Sequence, residues 1–285
     1  MPRKEMAETV IDMRPMPARD WNAIPWSEVP PGGAAHWIAV LPLAATEQHG
    51  PHLPLETDTL IAQAYLARTR ELLPPDCPAT FLPIEEVGLS TEHTDFAGTR
   101  TLTAEGALAA WTQIGAEVAG RGLRKLVMVT SHGGNGAVMT LVAQELRARL
   151  GLLAVTTNWH RFGQPPGLFS DDEIRHGIHG GAIETSIMLA AFPDQVQQSL
   201  AANFEPASLA HAQQFRHLST QRPAPFAWQA QDLHPSGAVG DATAASADKG
   251  QALIEHGARA FCELLDDVDR FDLAMLRAGP SRLTA

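Results

Sequence analysis

The sequence predicts an α/β fold, with a mainly parallel sheet carrying helices on both faces. Three observations carry this expectation. Short apolar runs bounded by Gly and Pro recur at 36–43, 80–87, 125–131 and 152–159, as buried strands do. Stretches of helical period alternate with them, which is the pattern of βαβ units and a parallel sheet. No internal repeat, linker or low-complexity tract divides the chain, so residues 36–285 read as a single domain behind an irregular lead-in at 1–35.

The lead-in is rich in Pro, Met and Trp and is expected to pack through Trp21 and Trp26. HWIAVLPL (36–43) reads as the first strand. A helix follows from Asp58 to Leu73, stopped by Pro74–Pro75. TFLPIEEV (80–87) is the second strand, and 105–122 a helix with Thr103 as N-cap and Gly122 at its end. KLVMVTS (125–131) is a β-branched strand, GGN a turn, 137–151 a helix and LLAVTTNW (152–159) a strand. Residues 160–176 read as a loop of active-site-lid length. Helices are expected at 181–192 and 248–268, whereas 194–240 shows no period to assign.

Composition narrows the function. With 21 basic and 32 acidic residues the formal charge is −11, which argues against a sequence-independent nucleic-acid binder and against an anionic membrane surface. Two cysteines, Cys77 and Cys262, are too few for a disulfide scaffold or a thiolate zinc site, so a reducing, cytoplasmic setting is expected. No apolar run approaches membrane-spanning length. Twelve histidines are the anomaly, since histidine is both the commonest metal ligand and the usual acid–base group near neutral pH.

Three segments give these histidines chemical company. In LPLAATEQHGPHLPLETD (41–58), Glu47 and His49 stand two apart after a strand, and so project to one side. Gly50, Pro51 and Pro54 can fold Asp58 back onto them. Carboxylate and imidazole together suit Zn²⁺ or Mn²⁺, although an incidental polar loop explains one such triplet equally well. In VTSHGGNG (129–136), His132 falls at the carboxyl end of the best strand, where open α/β sheets place ligands. A phosphate nest is the rival there, but the sequence lacks the P-loop lysine. In RHGIHGGAIETS (175–186), Glu184 lies on an otherwise apolar helix and needs a partner, either a basic side chain or a metal. His179 precedes that helix on a glycine-rich turn.

Together, E-Q-H-G-P-H-L-P-L-x-T-D, S-H-G-G-N and H-G-G-A-I-E-T-S resemble the creatininase (creatinine amidohydrolase) family of metal-dependent amidohydrolases. GLSTEHTDFAGTRTL (88–102) and SGAVGDATAASADKGQAL (236–253) extend the resemblance from about Leu41 to Leu253. It implies a three-layer α/β/α fold, two divalent ions per chain (zinc by affinity order, or manganese) and a ring-like homo-oligomer, commonly a hexamer. By motif match Glu47 and His132 serve one metal, His49 the other, and Asp58 bridges both, while His179 handles the proton on the leaving nitrogen. The reaction implied is cleavage of a C–N amide bond by a metal-bound hydroxide, in a small cyclic amide, a formamide or a short peptide terminus. A catalytically silent metal- or metabolite-binding protein of the same fold is the alternative.

Departures from the family pattern bear on the substrate. Creatininase has H-Y-E-N where this chain has His132-Gly133-Gly134-Asn135, so the tyrosine and the second-metal glutamate are absent, and Glu184 becomes the candidate replacement ligand. Arg175 stands where the family has a substrate-loop tryptophan, and Trp159 matches an aromatic of the creatinine pocket. Glu92 and His93 are expected either to line the pocket or to hydrogen-bond behind the ligands.

Overall fold

The computed structural model describes residues 16–25, 27 and 34–279; Trp26 lies outside them. Four parallel strands form the central sheet: β1 (Ile38–Leu43), β2 (Ala79–Phe81), β3 (Lys125–Thr130) and β4 (Leu153–Asn158), in the order β2-β1-β3-β4. The helices are α1 (Thr57–Leu72), α2 (Ala104–Gly120), α3 (Gly136–Leu150), α4 (Asp171–His176), α5 (Ala182–Ala191), α6 (Ala207–Gln214), α7 (Ala230–Leu233) and α8 (Ala247–Arg270).

The layers follow from the period of two along the strands. Ile38 and Val40 of β1, with Val127 and Val129 of β3, face Ile61, Ile187 and Phe261 of α1, α5 and α8. The alternate residues Ala39, Leu41, Leu126 and Met128 face Trp111, Val118, Val142 and Leu146 of α2 and α3. Both faces of the central strands are therefore apolar, which makes them near-continuous hydrophobic runs in sequence. Each fully buried Leu, Ile, Val or Phe here contributes about 1.5–3 kcal/mol relative to exposure. α5 and α8 approach closely because Gly250 has no Cβ; one built there would stand 1.9 Å from the Ser186 carbonyl oxygen.

Most elements lie within a residue or two of their sequence positions, and the Thr103 hydroxyl does cap α2 by accepting from Gly106 N at 3.0 Å. Three regions differ. The second strand ends at Phe81, because Pro83 has no N–H to continue the ladder; the chain still touches the sheet edge through a bridge between Leu43 and Glu85. The 160–176 segment is not loop throughout: Ser170 caps the short helix α4. The unassigned 194–240 stretch folds into α6, α7 and short two-residue pairings. In the lead-in, Trp21 is buried under the Arg121 guanidinium, and Asp20 bridges to Phe81 at the sheet edge.

One consequence of the topology fixes the site. The chain leaves β1 through α1 on one face to reach β2, and leaves neighbouring β3 through α3 on the other face to reach β4. The crossovers diverge between β1 and β3, opening a crevice beyond their carboxyl ends, where open α/β sheets bind ligands.

Candidate metal centre

Glu47 and His49 lie on the segment that leaves β1, Asp58 in the first turn of α1, and His132 just beyond β3. Ser131 Oγ donates to the Asp58 carbonyl at 2.7 Å, tying α1 to the end of β3. The fourth contribution comes from the far side of the sequence. His179 pairs with Val239 in an isolated bridge, Gly180 turns the chain at φ +62°, and α5 then carries Glu184 inward. His179 and Glu184 thus share a site because the histidine stands off the helix, on backbone that glycine permits.

Every imidazole is oriented by a hydrogen bond on its other nitrogen. His49 Nδ1–H donates to the Glu47 carbonyl at 3.1 Å, leaving Nε2 toward the carboxylates. His132 Nε2–H donates to the Leu89 carbonyl at 2.9 Å, leaving Nδ1 at 3.1 Å from Glu47 Oε1 and 3.7 Å from Asp58 Oδ2. His179 Nε2–H donates to the Gln48 carbonyl at 2.5 Å, leaving Nδ1 at 3.7 Å from Glu47 Oε1. His49 Nε2 stands 3.8 Å from Asp58 Oδ2, 3.8 Å from Glu184 Oε2 and 4.0 Å from Glu47 Oε1. Fixing a ring through its second nitrogen is how proteins present histidine to a metal.

Glu47 Oε1 and Oε2, His49 Nε2 and Asp58 Oδ2 are all buried without a hydrogen-bond partner. Such atoms cost stability unless something compensates them. Ligand atoms about 2.0–2.2 Å from a shared ion stand roughly 3–4 Å apart, which is the spacing seen here. Two groupings answer to this: Glu47, Asp58 and His132, and His49, His179 and Glu184; Glu47, His93 and His179 form a third. Asp58 Oδ2 stands 3.8 Å from His49 Nε2 and 3.7 Å from His132 Nδ1, within reach of both. These residues fit a divalent cation by donor type and by their lack of other partners.

Charge in the cluster is strongly coupled. Burial works to raise the Glu47 carboxyl, yet His132, with His93 and His179 beyond it, holds it well below the usual range. Burial first, and then the Glu47 charge, push Asp58 well above that range. Burial opposes charging of His132, but Glu47, Asp58 and Glu92 outweigh it and raise that imidazole well above its ordinary value. His49 is depressed by burial and by His179; His93, for the same two reasons, falls to about 3.

The remaining sequence candidates fall in different places. Glu92 sits behind the ligands, its Oε1 3.4 Å from His132 Nε2, and burial raises its carboxyl. His93 is buried, stacked on His179 at 4.2 Å, with Nε2 3.5 Å from Glu47 Oε1. Trp159 does not form a pocket wall. It is 1 % exposed, stacked on Tyr65 at 4.6 Å and edge-on to Phe261, so its area is used in the core. Arg175 is not in the cluster either; it is exposed on α4 and lines a separate cleft. No lysine or arginine pairs with Glu184 among the described residues: Gly180 N donates to it at 2.6 Å, and the nearby bases are His49 and His160.

Gln48 and His160 were not singled out in the sequence. The Gln48 amide donates to His93 Nδ1 at 2.8 Å and to the Gly237 carbonyl at 3.0 Å, while its backbone carbonyl holds His179. Its position inside E-Q-H was the available signal. His160 Nε2 stands 3.9 Å from Glu184 Oε1 and lines, with Thr130, Gly133 and Arg161, a cavity of about 290 Å³ at the ends of β3 and β4. Asn135 locks the turn after β3, accepting from Leu89 N and donating to the Ala44 carbonyl and to Thr130 Oγ1.

Fold and site together define a three-layer α/β chain with a candidate metal centre at the switch point of its sheet. The chain belongs to the creatininase family, whose model, described as creatinine amidohydrolase, matches residues 22–265. It is 33 % identical to a mycofactocin precursor peptide peptidase of Mycobacterium ulcerans, over 81 % of this chain and 83 % of that protein. It is 27 % identical to a creatinine amidohydrolase of Pseudomonas putida, over 78 % of this chain and 86 % of that one. Among solved structures, creatininase with manganese superposes with a TM-score of 0.71 at 23 % identity, covering 90 % of this chain and 100 % of that one. No helix among the described residues is long and apolar enough to cross a membrane.

Proposed function

We propose that this chain hydrolyses a C–N amide bond in a peptide substrate, using two divalent cations held at the ends of β1 and β3. The observation that carries the reading is the set of buried, unpartnered donor atoms on Glu47, His49 and Asp58. Glu47, Asp58 and His132 would hold one ion, and His49, Asp58 and Glu184 the other. Zinc is favoured by affinity order, and manganese suits the same oxygen and nitrogen donors. Cations held there would supply Lewis-acid activation of water and of the scissile carbonyl, a chemistry that needs no Ser or Cys nucleophile.

The chain's own part is positioning and proton handling. His179 keeps Nδ1 free beside Glu47 while Nε2–H is tied to Gln48, so Nδ1 is the atom that takes the proton and returns it to the leaving nitrogen. Peptide is favoured over a small planar ring on two grounds. The relatives at 32–33 % identity are peptide peptidases, whereas the creatinine amidohydrolase is at 27 %. Trp159, the residue matched to the creatinine pocket, is buried in the core.

An unbiased screen of creatinine, formamides and short peptides with metal-loaded protein tests the reading. The best peptide is expected to exceed creatinine in kcat/KM by at least about tenfold, a gap of about 1.4 kcal/mol. Creatinine as best substrate would overturn the substrate assignment, and no turnover of any amide would favour a silent binding protein.

A further inference from the structure

A second concave site lies along the segment that delivers His179. Arg175 of α4, His211 of α6, and Arg216, His217, Gln221 and Arg222 beyond it line a cleft of about 440 Å³. None of its lining residues is an aspartate or glutamate. In the chain as a whole, acidic residues outnumber basic ones by 32 to 21. Some arginines elsewhere are neutralised by carboxylates: Arg68 pairs with Glu71 and Glu255, Arg149 with Glu145, and Arg270 with Asp266 and Asp267. Among the described residues, Arg175, Arg216 and Arg222 have no such partner, and all three are exposed.

We propose that this cleft binds an acidic segment of the peptide substrate, so that the chain selects peptides carrying carboxylates. Guanidinium groups are planar forks that match carboxylates two bonds at a time. Several fixed cations along one cleft suit several carboxylates along one chain. Phe215 and Leu218, 40 % and 46 % exposed, border the same cleft and offer contact to apolar side chains between the acidic ones. A net charge of −11 repels acidic ligands in general, so a local cationic cleft decides where such a peptide can dock. The inference rests on the peptide-hydrolase reading for its choice of a peptide, but its test needs no turnover.

A fluorescein-labelled hexapeptide of alternating glutamate and leucine, compared with its glutamine–leucine counterpart, is titrated with the full chain and followed by anisotropy. The acidic peptide is expected to bind at least about tenfold more tightly at low salt, the compound effect of a few exposed ion pairs, and to lose that preference at high salt. Arg216→Glu/Arg222→Glu should abolish the preference. Arg149→Glu/Arg270→Glu, with the same change in net charge on exposed helix faces, should keep it. Equal affinity for the two peptides, or equal loss in both double variants, would overturn the proposal. So would inorganic phosphate binding as tightly as the acidic peptide. A chain that prefers the acidic peptide yet hydrolyses no amide would sink the catalytic reading while leaving the cleft; active protein without the preference would sink the cleft alone.

Discussion

Two buried glutamates show what separates a structural carboxylate from a functional one. Glu173 on α4 is 8 % exposed, and both its oxygens are used: Ala182 N donates to Oε1 at 2.6 Å and Asp241 N to Oε2 at 2.9 Å. Gly177, Gly181 and Gly240 make room for it, since a Cβ on any of them would stand within 3 Å of its carboxylate. Glu47 is fully buried, and neither of its oxygens has a hydrogen-bond partner. Glu173 is a clamp, joining the start of α5 to the strand beside it. Glu47 faces the imidazoles of His132, His93 and His179 instead of backbone N–H groups, a costly arrangement that a bound cation would offset. Burial is common to both; what differs is whether the backbone has already satisfied the charge.

The comparison can be broken by experiment. The largest effect is expected at His179: His179→Ala should lower kcat by about 10²–10⁴-fold while retaining the bound metal. A variant that loses an ion with its activity would make His179 a ligand, and full activity would remove it from the mechanism. Next, adding metal at about a thousand times its dissociation constant should stabilise chelator-treated protein by about 4 kcal/mol, read as a rise in Tm. Glu173→Gln should keep that metal-dependent rise but lower the baseline by about 1–3 kcal/mol, because an amide NH2 would face one of the two N–H donors. If Glu173→Gln abolished metal binding, the separation of clamp from cluster would fail. Smallest, Gln48→Leu should weaken metal affinity by about 10–100-fold through loss of the amide bonds to His93 and Gly237, with ligand identity unchanged. Isothermal titration would measure it.

The layered fold was legible because both faces of β1 and β3 are apolar and the intervening helices keep a clear period. The cluster was legible where donors sit close in sequence to a strand end, as Glu47, His49 and His132 do. Glu184 stood out as a lone carboxylate on an apolar helix. What could not be read depends on distant contacts. Gln48 acts through Gly237, 189 positions away, and no local pattern encodes that partner. Trp159 follows β4 directly, as a pocket residue would, but Tyr65 and Phe261 draw it into the core. Arg175 lies four residues before His179, yet α4 directs it to the cationic cleft and away from the cluster. Residues 194–240 are organised by their neighbours and not by a period of their own, as the pairing of Phe204 with Gly240 illustrates.

On the proposed reading, the unpartnered donors of Glu47, His49 and Asp58 would hold two cations, with Asp58 common to both sets. Elemental analysis of protein prepared with divalent metal and without chelator tests it directly, alongside Asp58→Ala. Two divalent ions per chain are expected in the wild type and a content well below that in the variant, since Asp58 Oδ2 stands 3.8 Å from His49 Nε2 and 3.7 Å from His132 Nδ1. Equal metal content in the two proteins, or none in either, would contradict it.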